Sequence, residues 1–252
     1  MIVEYHRPKT LEETLVLLGR TGLPTYPLGG GTFLSQHTTE ACAVVDLQSL
    51  GLSSIEKQGN MLILGATAAL QSLYESSEIP SELKGVIYKE HSSNLRRTAT
   101  IAGTLVTADE SSPMAAALLA LDAHLKWAPG EEEIGLGDWL PLRHKWSKGK
   151  LMLSISISTQ AKLLYEGVSR TPGDRPIVCV AIGKWSSGRT RVVIGGFGSA
   201  PLLAMDGPEA RGAESAIKIA HSQYIKPGNN KTYQLEITKI LVHRLLENNE
   251  TL

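Results

Sequence analysis

Pro27-Leu-Gly-Gly-Gly-Thr-Phe-Leu-Ser35 sets three consecutive glycines between an apolar run and a polar one. Glycine has no Cβ, so another group can approach its main chain closely, and successive amides in such a turn can point at one anion. That is the chemistry of a phosphate cradle. The same residues also suit a tight turn that merely links a strand to the next segment, and the glycines alone do not choose between the two. Neither common nucleotide fingerprint is present. No Gly-Lys-Ser/Thr comes after the run, as it would in a P-loop, and no Gly-x-Gly-x-x-Gly lies between a first strand and helix.

A second stretch bears on the choice. Arg97-Thr-Ala-Thr-Ile-Ala-Gly-Thr-Leu-Val-Thr-Ala-Asp109 places Thr98, Thr100, Gly103 and Thr104 close together, then an acid after a short apolar link. Hydroxyl and amide donors suit a pyrophosphate, and a nearby carboxylate can accept from sugar hydroxyls. The competing reading is a Thr-rich turn with Asp109 capping the helix that starts near Pro113.

The rest of the chain bounds the possibilities. Its 252 residues suffice for one large domain or two modest ones. The 25 basic and 25 acidic residues cancel, so no global field recruits nucleic acid or an acidic membrane surface, and a small ligand is expected. Cys42 and Cys179 stand far apart without the clustered spacing of metal or disulfide frameworks, and they read as buried small hydrophobes. Met1-Ile-Val-Glu-Tyr-His6 begins with strand-like material rather than a signal pattern, and no apolar run reaches bilayer length. A cytoplasmic protein with no membrane span is expected.

Thr10-Leu-Glu-Glu13 is a capping box that opens a helix to about Leu18. Pro24–Leu28 and Ala41–Asp46 read as strands, the second fully buried, and complete a small β-α-β lobe. Ser53–Lys57 and Met61–Gly65 form a hairpin turned at Gly59-Asn60, after which Thr67 is expected to cap a helix reaching about Tyr74. Further helices are predicted from Ser81 to about Lys89 and from Pro113 to Ala120. Leu151–Ile157, Ala161–Ser169, Ile177–Lys184 and Arg189–Phe197 read as a meander, closed by helices over Glu209–His221 and Gln234–Glu247.

Taken together, these stretches resemble a known family. Gly29-Gly-Gly-Thr-Phe-Leu34 is similar to the Ala-Gly-Gly-Thr/Ser-x-Leu loop of the FAD-binding medium subunit of molybdenum hydroxylases, the xanthine dehydrogenase and carbon monoxide dehydrogenase type. Gly65-Ala-Thr67 resembles its Gly-Ala-x-Thr element. Thr100-Ile-Ala-Gly-Thr-Leu105 with Ala108-Asp109 resembles its Thr-Ile-Gly-Gly-Asn-Leu and Ala-Asp-Pro-x-x-Asp run, and Tyr165, Arg170 and Asp174 fit its Tyr-x-Lys/Arg-x-x-Arg-x-x-x-Asp. The resemblance implies an α+β fold: a two-lobed PCMH-type FAD-binding domain over residues 1–160, with lobes of about 1–54 and 55–160. A small C-terminal domain of antiparallel sheet plus helices would cover 161–252. It also implies FAD as cofactor, bound by Leu28, Gly29, Gly30, Gly31, Thr32, Phe33, Leu34, Thr67, Thr100, Ala102, Gly103, Thr104 and Asp109. The flavin would do the redox work, so no catalytic side chain and no metal ligand is assigned. The implied partners are an iron–sulfur small subunit, a molybdopterin large subunit and a soluble electron acceptor.

The departures are specific. Ala102-Gly103-Thr104 stands where the family has Gly-Gly-Asn, and the second acid falls on Pro113, for which Glu110 or Ser112 would have to substitute. Gly167 replaces the Lys or Arg two residues after the tyrosine, and Tyr233-Gln234 replaces Tyr-Arg. Pro113 and Gly167 keep open a scaffold subunit without efficient flavin chemistry, and a self-sufficient oxidase of the vanillyl-alcohol oxidase type is a second rival. Arg96-Arg97 can pair with phosphate or a neighbouring subunit, although exposed basic pairs are usually solvated. Glu131-Glu-Glu133 reads as a charged hairpin tip, and Trp127, Trp139, Trp146 and Trp185 as core or interface anchors.

Overall fold

The computed structural model describes residues 1–35, 40–171, 173–208, 214, 217–218, 222 and 232–247, folded into two compact units. The first comprises Met1–Glu78, Ser93–Thr107 and His124–Ser156. Strands β1 (Ile2–His6), β2 (Thr25–Leu28) and β3 (Cys42–Asp46) form a parallel sheet in the order β1-β3-β2. Every residue of β3 is buried, as expected of the central strand of a covered parallel sheet. The helix Leu11–Gly19 packs Leu18 against Val45 and Leu47. Thr10 Oγ1 accepts from Glu13 N at 3.2 Å as the capping box requires, while the Glu13 carboxylate reaches one residue further back, to Lys9 N at 3.1 Å.

The same unit holds a five-stranded sheet in the order β4-β5-β8-β6-β7, from β4 (Ile55–Gln58), β5 (Met61–Gly65), β6 (His124–Ala128), β7 (Glu132–Gly135) and β8 (Leu151–Ser158). Gly59, at φ +59°, turns the β4–β5 hairpin, and Gly130 and Glu131 turn β6–β7 with φ of +86° and +53°. Assigning Leu151–Ile157 to the C-terminal meander is therefore incorrect: this strand pairs antiparallel with β6 instead. Its alternation fixes which side chains face inward and leaves the identity of its neighbour open. Trp127 packs on Trp139 and Trp146, with ring centroids 5.5 and 5.0 Å apart, so three of the four indoles form one cluster in this unit.

The second unit comprises Ile79–Ser92, Ala108–Ala123 and Ile157–Leu252. Here β9 (Ala161–Val168), β10 (Val178–Trp185), β11 (Thr190–Gly195) and β12 (Leu202–Gly207) form an antiparallel meander. The helices Pro113–Ala120 and Thr232–Glu247 both pack against β10. Pro113 occupies the first helical turn, where its missing N–H is harmless, and all eight residues of that helix are buried. Gly183 lets helix and sheet meet, since a Cβ there would lie 2.1 Å from Ala120 O. Ser112, rather than Asp109, caps the helix by accepting from Ala115 N at 3.3 Å. The helix expected over Glu209–His221 lies largely outside the described residues. Cys42 and Cys179 are buried free thiols, the latter pushed up to about 12 by burial.

Candidate functional site

Two expectations, one about Thr67 and one about the second stretch, change in the folded chain. Thr67 caps no helix. The helix begins at Leu70 with Ala69 as an N-cap that offers no side chain, because the intervening backbone is pinned elsewhere. Thr67 N donates to Leu52 O at 2.8 Å, Leu70 N to Ala99 O at 2.9 Å and Ile101 N to Ala68 O at 3.0 Å. Likewise Thr100–Asp109 is not a plain loop, since Ile101–Val106 is a short helix. Thr100 is its N-cap, accepting from Gly103 N at 3.2 Å. Gly103 and Thr104 are weak helix formers, which hid the helix from local reading.

This lacing brings four segments of the first unit around a cleft of about 320 Å³, lined by Gly29, Gly30, Gln48, Ser53, Thr67, Ala69, Arg97, Thr98 and Thr100. Of the residues that the resemblance assigns to FAD, Gly29, Gly30, Thr67 and Thr100 line it. Among the described residues, the N–H groups of Gly29, Gly30 and Gly31 make no hydrogen bond, so they remain available as donors. Gly31 takes φ +72°, a conformation that favours glycine.

The bare backbone has a second cause that the sequence did not reveal. A Cβ on Gly30 would sit 1.6 Å from Thr98 O, and one on Gly29 would sit 2.8 Å from Thr100 Oγ1. The space a side chain would need is thus filled by the chain's own second wall.

The other expected contacts are distributed differently. Leu28 ends β2, with its carbonyl accepting from Leu47 N at 3.1 Å. Thr32 and Leu34 are half-buried and Phe33 is 56% exposed, and none of the three lines the cleft. Ala102 N donates to Ala66 O at 3.1 Å, and Thr104 N to Thr100 O at 2.9 Å. With Gly103 N on Thr100 Oγ1, these amides are committed within the protein. Asp109 folds with the second unit, where Oδ2 takes Arg175 Nη1 at 2.7 Å and Oδ1 accepts from Ser111 N at 2.9 Å.

The second unit also contains a polar cluster that local reading missed. Glu90, only 2% exposed, accepts from Ser112 Oγ at 2.9 Å, Met114 N at 2.7 Å and Arg175 Nη2 at 3.0 Å. Burial outweighs these partners and holds its carboxyl above the usual carboxylate range. Ser112 is therefore already engaged on both sides. Burial likewise raises the hydroxyl of Tyr165 above the ordinary phenol range. Asp174 closes a local turn by accepting from Thr171 N at 3.2 Å. A glutamate ending an amphipathic helix and an arginine 85 residues later carry no sequence signal of their pairing. Among the described residues, no cluster of His, Cys, Asp and Glu is arranged to hold a metal ion, and no helix is long and apolar enough to cross a membrane.

A Gly/Thr-walled cleft in a unit of two sheets, with an antiparallel sheet and helices in a second unit, defines an α+β protein of the flavin-domain class. Reconstituted CO dehydrogenase from Oligotropha carboxidovorans contains a chain of this fold, with a TM-score of 0.80, 22% identity and coverage of 97% of this chain and 96% of that one. The chain belongs to the family described as the FAD binding domain in molybdopterin dehydrogenase, whose model matches residues 1–159, and its cofactor is FAD. It is 27% identical over 196 residues to the carbon monoxide dehydrogenase medium chain of Afipia carboxidovorans, covering 71% of this chain and 67% of that protein. It is 25% identical over 248 residues to the uncharacterized protein YgfM of Escherichia coli strain K12, covering 96% and 94%.

Proposed function

We propose that this chain is the flavin subunit of a molybdenum hydroxylase-type complex, passing electrons from an iron–sulfur partner through FAD to a soluble acceptor. The observation that carries the reading is the cleft in which the unpaired amides of Gly29 and Gly30 lie with Thr67, Thr98 and Thr100. Its donor set fits an anionic pyrophosphate: backbone N–H groups, hydroxyls from Thr67 and Thr100, and the Arg97 guanidinium. The bound isoalloxazine would accept and release the electrons, and the protein would supply orientation and exclusion of water. Gly29 and Gly30 would hold the phosphates, while Thr67 and Thr100 would fix the lateral position of the chain between them. The molybdopterin and iron–sulfur chemistry would reside in separate subunits, in a cytoplasmic complex.

The test is direct. Purified chain should be yellow and release about one FAD per protein, and photoreduced protein should be reoxidised by an external acceptor. Colourless protein that takes up no FAD refutes the proposal, whereas FAD-loaded protein that reacts with no acceptor leaves a scaffold subunit.

A further inference from the structure

The adjacent residues Arg96 and Arg97 have opposite environments. Arg96 is buried, with Nε donating to Gln71 Oε1 at 3.2 Å and its guanidinium lying 5.2 Å from the centre of the Tyr74 ring. Arg97 is exposed, lines the cleft and has no partner for its guanidinium among the described residues. The backbone between them is held in a tight turn, with Thr98 N and Ala99 N both donating to Leu95 O, at 3.1 and 2.7 Å. Thr98 Oγ1 reaches the same carbonyl at 3.2 Å. Anchoring of Arg96 on one side and of the Thr98 turn on the other therefore fixes the point from which Arg97 leaves the chain. That point is beside Gly29 and Gly30, whose amides lack partners.

We propose that Arg97 is a phosphate-binding residue of the cleft, one that favours phosphorylated flavins by placing a full positive charge beside the glycine amides. The proposal rests on the FAD-binding reading above. A backbone N–H supplies a partial charge, and the amides of the opposite wall are spent on Ala66 O, Thr100 Oγ1 and Thr100 O. Arg97 therefore supplies the cationic charge that a doubly ionised pyrophosphate calls for at this wall. Because the guanidinium is exposed, its attraction is screened by salt.

The experiment titrates the full-length protein, stripped of flavin, with FAD and with riboflavin at low and high ionic strength, following flavin fluorescence. Arg97→Gln should weaken FAD binding at low salt by about tenfold or more, as expected for loss of one charge-assisted contact. Riboflavin binding should be unchanged, the salt dependence of FAD binding should flatten, and Arg97→Lys should restore most of the affinity. Arg97→Gln that binds FAD like the wild type with the same salt dependence overturns the proposal and leaves FAD binding intact. Equal weakening toward riboflavin overturns it in favour of damage to the wall. Wild-type protein that takes up no FAD refutes both readings.

Discussion

Replacing Gly30 with alanine tests why the glycine run is bare. The new Cβ would lie 1.6 Å from Thr98 O, 2.5 Å from Thr98 C and 3.2 Å from Ala99 N. Carbon needs about 3.5 Å from a non-bonded heavy atom, so one of the two walls must retreat by about 2 Å. The Thr98 wall does not retreat freely: Thr98 N and Ala99 N are tied to Leu95 O, and Ala99 O accepts from Leu70 N at 2.9 Å. Overpacking of this kind costs about 1–3 kcal/mol, and each kcal/mol shifts the melting temperature of a protein this size by about 2–4 °C. Gly30 does not lie in the left-handed region, so the effect is steric rather than conformational. The assay is a thermal melt paired with the FAD-to-protein ratio after purification. Both should fall, and more than for Gly29→Ala, whose Cβ meets the Thr100 side chain, not backbone, at 2.8 Å. Gly19→Ala, with nothing within 4 Å, serves as the control. Retention of wild-type FAD content and melting temperature by Gly30→Ala would show that the two walls are not packed as described.

In the second unit, Gly183→Ala would push a Cβ to 2.1 Å from Ala120 O and should destabilise the helix–sheet packing by about 1–3 kcal/mol, read by chemical denaturation; an unchanged midpoint would count against it. Glu90 gives a pH signature. Its carboxyl is raised from 4.5 by burial, so above that pH the unfolded chain loses this proton before the folded one does. The folded state is thus favoured below about pH 4.5 and loses this contribution as pH rises through the folded value. Glu90→Gln keeps an acceptor oxygen for Ser112 and Met114 but cannot ionise. Its melting temperature should gain on that of the wild type as pH rises from 4.5 to 8, and parallel pH curves would rule out the assigned shift.

Much of the fold was legible because it rests on local physics. Thr10 at a helix start, the Gly59 turn, the apolar run of β3 and Pro113 in a first turn each impose structure through neighbours a few residues away. The short helix Ile101–Val106 escaped because its composition is poor, and it is held by long-range bonds such as Ala102 N to Ala66 O. The alternation of Leu151–Ser158 marks a strand and not its neighbours, for alternation sets faces and not partners.

The glycines show the same division. Sequence alone marked Gly29–Gly31 as backbone free of side chains, suited to close approach by another group or to a positive φ. Only the tertiary structure decided what approaches: at Gly30 it is the carbonyl of Thr98, 68 residues away, and the amides left without partners face a cleft. The pairing of Glu90 with Arg175 and the separation of Arg96 from Arg97 into a buried anchor and an unpaired cation were decided in the same way. Each depends on where distant backbone passes, and distance in space is a property that local propensity does not encode.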